Sequence, residues 1–167
     1  MSLTPFTPSI TPAAPHDAPA IERLVARAFG PGRFTRTAYR LRERADPDPA
    51  LSFVAHVGTL LVGSIVLTPV RCGAAPALLL GPLTVEPAFQ SVGIGEALVA
   101  RALAAAREAG HALVVLVGDQ SYYGRMGFAP APRGRLTLPG PVDEARILFY
   151  ALTPNAFEGV SGRITAG

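Results

Sequence analysis

The chain has 167 residues, with fifteen basic side chains against twelve acidic ones and a net charge of +3. All fifteen are arginine and, apart from Arg33, Arg36, Arg40, Arg42 and Arg44, they are scattered, which argues against the dense basic face of a nucleic-acid binder. One cysteine excludes an internal disulfide, three distant histidines give no metal-site spacing, and no apolar run reaches transmembrane length.

A chain of this size is expected to form one domain over residues 1–167, with 1–8 and 154–167 loosely ordered. The N-terminus lacks a charged region followed by an apolar one, so the expected compartment is the cytoplasm. In chain order, Ser9-Ile10-Thr11 reads as a short strand. Asp17 reads as a helix N-cap with Pro19 in the first turn, and Ile21, Leu24, Val25 and Phe29 recur at helical spacing until Gly30-Pro31-Gly32. A second helix is predicted over about 35–44. Residues 51–56 and 60–68 read as an antiparallel hairpin across Val57-Gly58-Thr59, and 71–76 as a loop before a third strand, 77–85. Pro82 has no N–H to donate, so it marks an edge, a bulge or a place where two strands part.

The surest helix runs over 93–109. Ile94, Leu98, Ala102 and Ala105 line one face, Glu96, Arg101, Arg107 and Glu108 are solvated, and Gly110 closes it. Residues 112–117 form a buried strand, 121–126 a short helix or turn, and short strands start at Phe128 and over 146–152. This order predicts an α/β fold, with a mixed, mostly antiparallel central sheet flanked by helices on both faces.

The most informative stretch is Gln90-Ser91-Val92-Gly93-Ile94-Gly95, at the start of the long helix. The first N–H groups of a helix have no internal partner, and the macrodipole adds positive charge there, so phosphate can bind without a lysine. A dinucleotide fold would want its glycines directly after the strand and a third glycine where Leu98 stands. Asp119 does sit where a ribose-binding acid would, so a nucleotide-dependent oxidoreductase stays as an alternative.

Leu83-Thr84-Val85-Glu86-Pro87, followed by this glycine stretch and an amphipathic helix, resembles the central motif of the Gcn5-related N-acetyltransferases: strand, V-x-P, then Q/R-x-x-G-x-G/A. Tyr122-Tyr123-Gly124-Arg125-Met126-Gly127-Phe128 resembles the family's second signature, a tyrosine five residues before the phenylalanine of a G-F pair. The nearest pattern is that of a bacterial group with a G-D-x-x-Y-Y-G-R-x-G-F segment. The resemblance spans about residues 9–152.

The resemblance implies the acyl-CoA N-acyltransferase fold, with strands 77–85 and 112–117 splayed around acetyl-CoA and no metal. It implies that backbone groups of Val92, Gly93, Ile94, Gly95 and Glu96 hold the pyrophosphate, with Gln90 and Ser91 lining the approach. The pantetheine arm would run beside Leu83, Thr84 and Val85, with Tyr122 as a cofactor contact. The Val85 N–H would polarise the thioester carbonyl, and Tyr123 would give the leaving thiolate its proton while also touching the cofactor. The implied acceptor is a primary amine of a small molecule or peptide, attacking directly in a ternary complex, with Glu86, Asp119 and His56 as candidate bases. Segment 30–49 would shape the acceptor side. No nucleic-acid or membrane partner is expected, and a homodimer is left open. A non-catalytic acyl-CoA-binding or sensory domain of the same fold is the alternative without chemistry.

Overall fold

The computed structural model describes residues 7–29 and 46–167. Residues 1–6, the Gly30-Pro31-Gly32 stop, the arginine cluster, the helix predicted over 35–44 and most of segment 30–49 lie outside the described residues.

The strands are β1 (Ser9–Pro12), β2 (Phe53–Val57), β3 (Leu60–Cys72), β4 (Ala75–Val85), β5 (Leu113–Val117), β6 (Ala129–Pro130), β7 (Leu136–Thr137), β8 (Ile147–Ala151) and β9 (Gly162–Ala166). The helices are α1 (Ala18–Phe29), α2 (Ile94–Glu108) and the short α3 (Gln120–Tyr123). The sheet order is β1-β2-β3-β4-β5-β8-β6, and β9 pairs with both β3 and β7. Most neighbours are antiparallel; β4 with β5 and β7 with β9 are parallel. The result is the mixed, mostly antiparallel α/β sheet that the sequence predicts.

The two long helices cover opposite faces. Leu24 of α1 packs with Val54 and Leu61. Ile94, Leu98, Val99 and Ala102 of α2 pack in a separate cluster with Phe53, Ala55, Ile65, Leu67 and Leu80. Alternation along the strands produces this division, since neighbouring side chains point to opposite sides of a sheet. Each fully buried Leu, Ile or Phe contributes about 1.5–3 kcal/mol by leaving water. Helix α2 closes as its sequence predicts: Gly110, at φ +87°, lets the His111 N–H reach the Ala106 carbonyl at 3.0 Å. No helix among the described residues is long and apolar enough to cross a membrane.

Three expectations need correction. The predicted loop 71–76 is a two-residue turn at Gly73-Ala74 between β3 and β4, which pair as far as Cys72 opposite Ala75. Gly73 takes φ +60°, the conformation that a tight hairpin turn requires. Asp17 is not the N-cap of α1. It ends a 3-10 turn over Pro15–Asp17, and its carboxylate accepts the Ala14 N–H at 2.8 Å.

The tail predicted to be loose over 154–167 is built into the protein. Phe157, Val160 and Ile164 are buried with Val70, Cys72, Leu79 and Val115, and Phe157 stacks on Phe149 at 3.9 Å. Arg135 holds the tail by its backbone, donating to the Val160 and Phe157 carbonyls at 2.8 Å each. Strand β9 then extends along β3, with Ile164 opposite Cys72. Burial pushes the Cys72 thiol up to about 11, so it behaves as a small apolar filler.

Candidate functional site

Strands β4 and β5 face each other only at Leu78 with Val114 and Leu79 with Val115. Just beyond lies a bulge: Val66 of β3 faces both Gly81 and Pro82, between the pairs Leu67 with Leu80 and Ile65 with Leu83. A bulge bends its strand, and Pro82 cannot donate to a ladder, so the sheet splits here. The Glu86 N–H bonds the Val62 carbonyl at 2.8 Å, on the β3 side. Successive amides of a strand point to opposite edges, so the Leu83 and Val85 N–H groups face the parted side.

The far wall is the start of α2. Its N-cap is Gly93, at φ +89° and without a capping side chain, and the first helical bond is from the Ala97 N–H to the Gly93 carbonyl at 3.0 Å. The N–H groups of Ile94, Gly95 and Glu96 therefore have no acceptor within the helix. Ser91, at φ +68°, and Gly93 reverse the chain sharply just before them. Left-handed backbone at Ser91 costs of order 1–3 kcal/mol, which the surrounding turn must offset.

Between these walls lies a cleft of ≈ 610 Å³. Of the predicted site residues, Leu83, Val85, Gln90, Ser91, Gly93, Ile94, Gly95, Glu96 and Tyr122 line it. Three lie elsewhere. The Thr84 side chain points to the opposite face, buried and with its hydroxyl unpartnered. Val92 is 54 % exposed and does not line the cleft. Tyr123 packs edge-on against Tyr122 at 4.9 Å and Phe128 at 5.8 Å, over Gly118 at the end of β5, where a Cβ would meet its ring at 2.6 Å. The adjacent tyrosines thus part company, Tyr122 into the cleft and Tyr123 toward the seam's far strand.

Two further residues line the cleft, Phe89 and Arg125. Phe89 lies in the turn between strand and glycines, and only its apolar character in a polar stretch could have marked it. Arg125 belongs to the G-R-x-G-F segment, where sequence alone leaves two readings, a solvated helix face ahead of a contact with a coenzyme phosphate.

The polar contacts are specific. Gln90 turns back and donates through Nε2 to the Val85 carbonyl at 3.3 Å. The Tyr122 hydroxyl lies so close over Gly95 that any Cβ there would overlap it. Burial first, then the Glu96 carboxylate, raises the Tyr122 phenol above its ordinary value, with Arg125 acting the other way. Tyr122 is therefore a protonated donor at neutral pH. A second groove of ≈ 320 Å³ continues past Glu96 along α2, lined by Val99, Leu103, Arg107, Met126 and Tyr150 among others.

The candidate bases separate clearly. The Asp119 carboxylate caps α3, accepting from the Ser121 N–H at 3.0 Å and Oγ at 2.9 Å, and these bonds hold it below the ordinary carboxylate range. Glu86, next to Val85, accepts from Arg27 Nη2 of α1 at 2.6 Å, with its side chain 20 % exposed. His56 lies on β2 opposite Ser9 and Leu61, on the far side of β3 from the seam. Among the described residues no group of three or more His, Cys, Asp or Glu could hold a metal ion.

Residues 48–130 match the model of the acetyltransferase (GNAT) domain. The chain is 31 % identical over 149 residues to the uncharacterized N-acetyltransferase YjhQ of Escherichia coli strain K12, covering 86 % of this chain and 81 % of that protein. Its fold is similar to the crystal structure of the GNAT family N-acetyltransferase YhbS of Escherichia coli in complex with CoA. There the TM-score is 0.83 at 26 % identity, covering 100 % of this chain and 93 % of that one. It is also similar to a GNAT family acetyltransferase from Brucella melitensis in complex with acetyl-CoA, with a TM-score of 0.70, 29 % identity and 97 % of each chain covered.

Proposed function

Since the chain belongs to the GNAT family of acetyltransferases, we propose that it moves the acetyl group of acetyl-CoA to a primary amine by direct attack in a ternary complex. One observation carries this reading. A cleft of ≈ 610 Å³ joins the uncapped start of α2 to the edge of β4 that β5 leaves bare. A diphosphate fits the first wall, because the helix end offers N–H groups and a positive dipole. A pantetheine amide fits the second, because the Leu83 and Val85 amides present a strand edge.

The Val85 N–H is then the donor that stabilises charge on the thioester oxygen, and Gln90 fixes that segment through the Val85 carbonyl. A single well-aimed donor of this kind is worth about 3–4 kcal/mol. Tyr123, over Gly118 at the opposite side of the seam, supplies the proton for the departing thiolate. A phenol with pKa about 10 is protonated at neutral pH and matches a thiol of about 8.5 closely enough to transfer. Tyr122 belongs to the cofactor's phosphate end. The acceptor is a small-molecule or peptide amine, and the coenzyme is released as the free thiol.

The test is calorimetry with acetyl-CoA against NAD(P), followed by thiol release across amino acids, polyamines, aminoglycosides and peptide N-termini. Association of acetyl-CoA alone, with turnover on some amine, is the expected result. Binding without turnover on any amine would reduce the protein to an acyl-CoA-binding domain, and no association at all would overturn the proposal.

A further inference from the structure

The cleft has an uneven charge supply for an anionic ligand. Of its described lining residues, only Glu96 and Arg125 carry formal charge. Gln90, at the mouth of the glycine turn, brings none and is already committed to the Val85 carbonyl. Among the described residues the cleft's cation is therefore Arg125, which arrives from the turn after α3 and not from the glycine motif.

In this structure the Arg125 Nη2 lies 3.6 Å from the Glu96 Oε1, with the side chains 63 % and 50 % exposed. Its guanidinium is also 5.5 Å from the centre of the Tyr122 ring. Exposed pairs of this geometry are weak, about 0–1 kcal/mol, so the partnership is easily exchanged. Glu96 is the third residue of α2, and its own N–H belongs to the uncapped set. Its carboxylate therefore stands beside the place where a diphosphate would sit, repelling it and holding the cation among the cleft's described lining residues.

Resting on the reading of this cleft as a coenzyme site, we propose that Arg125 is an exchangeable cation which passes from Glu96 to the coenzyme's diphosphate on binding, so that Glu96 and Arg125 set coenzyme affinity in opposite directions. A guanidinium can grip a phosphate through two parallel N–H bonds, which a single exposed carboxylate contact at 3.6 Å does not match. The Tyr122 hydroxyl, protonated and lying over Gly95, adds a second side-chain donor to the same cradle. Glu96 serves the free protein instead, where an acid in the first turn complements the helix dipole.

The experiment is calorimetry on purified wild type, Arg125→Ala, Arg125→Lys and Glu96→Gln, with acetyl-CoA and with S-acetylpantetheine, which has no phosphate. Thermal melts establish that each variant is folded. Arg125→Ala should weaken acetyl-CoA about tenfold, the loss expected for one charge-assisted contact. Arg125→Lys should recover part of that loss, and Glu96→Gln should bind acetyl-CoA more tightly than wild type. The Arg125→Ala change should also flatten the dependence of acetyl-CoA affinity on salt, while binding of S-acetylpantetheine stays the same in all four proteins. Wild-type binding with unchanged affinity in Arg125→Ala, or weaker binding in Glu96→Gln, would overturn the exchange while leaving the coenzyme site intact. Absence of acetyl-CoA binding to wild type would instead remove the site itself.

Discussion

Strand β4 has two ends that obey different rules. At Leu78 and Leu79 it is zipped to β5, and both side chains are fully buried, one on each face of the sheet. Past the bulge at Gly81-Pro82 it has lost that neighbour, and its amides face a cleft walled by backbone glycines, a tyrosine and two exposed charges. The closed end is apolar and tolerates no change of volume. The open end leaves donors unused by the fold, which makes it the place for chemistry. Stability and function are thus divided along a single strand, and substitutions can be chosen to strike one end without the other.

The largest separation is expected from Tyr123→Phe. Removing the phenol proton should lower kcat by about 10²–10⁴-fold, the range for a positioned general acid. Acetyl-CoA affinity measured by calorimetry should stay as in wild type. A matching loss of affinity would assign Tyr123 to binding and leave the acid elsewhere. At the closed end, Leu79→Ala should cost about 2–5 kcal/mol in denaturant unfolding, because the cavity lies between β5 and the tail cluster. The protein that remains folded should bind the coenzyme normally.

A smaller and opposite signature is expected at the open end from Gly95→Ala. Alanine favours a helix over glycine by about 1 kcal/mol, so global stability should change little. The added Cβ must push the Tyr122 hydroxyl aside, and acetyl-CoA affinity should fall. The smallest effect concerns Asp119, whose carboxyl is held below its usual value by the Ser121 hydroxyl and N–H, with help from Arg146. Its capping contribution is complete above the unfolded carboxylate pKa of about 3.9 and is lost as pH falls through the lower folded value. An NMR acid titration should show the Ser121 amide shifting in that lower window, and Asp119→Ala should abolish the step.

Periodicity and turn chemistry made most of the sheet and α2 legible, because each strand or helix declares its buried face locally. Gly93 and Gly110 could be read for the same reason. What could not be read depends on distant partners. Phe157, Val160 and Ile164 look like scattered apolar residues in a polar tail until Arg135, more than twenty positions earlier, is found holding the Phe157 and Val160 carbonyls. The loop placed at 71–76 hid two strand ends, since Pro76 speaks against pairing and yet lies opposite Arg71. Within the cleft, the glycine motif is visible as a pattern, whereas the inward placement of Tyr122 and Arg125 follows from how α3 and the turn after it lie against α2. The motif tells Tyr123 from Tyr122 by its spacing to Phe128, but only tertiary packing places Tyr122 in the cleft and Tyr123 over Gly118.

The contact between Gly95 and Tyr122 has a consequence for how this protein can change over time. A Cβ at position 95 would collide with the tyrosine oxygen, but it would sit 3.5 Å from the ring carbon that bears it, an ordinary contact distance. The double variant Gly95→Ala/Tyr122→Phe therefore fits where Gly95→Ala alone does not. The two sites form one slot, and descent through it has a preferred order, with the hydroxyl lost before the methyl is gained.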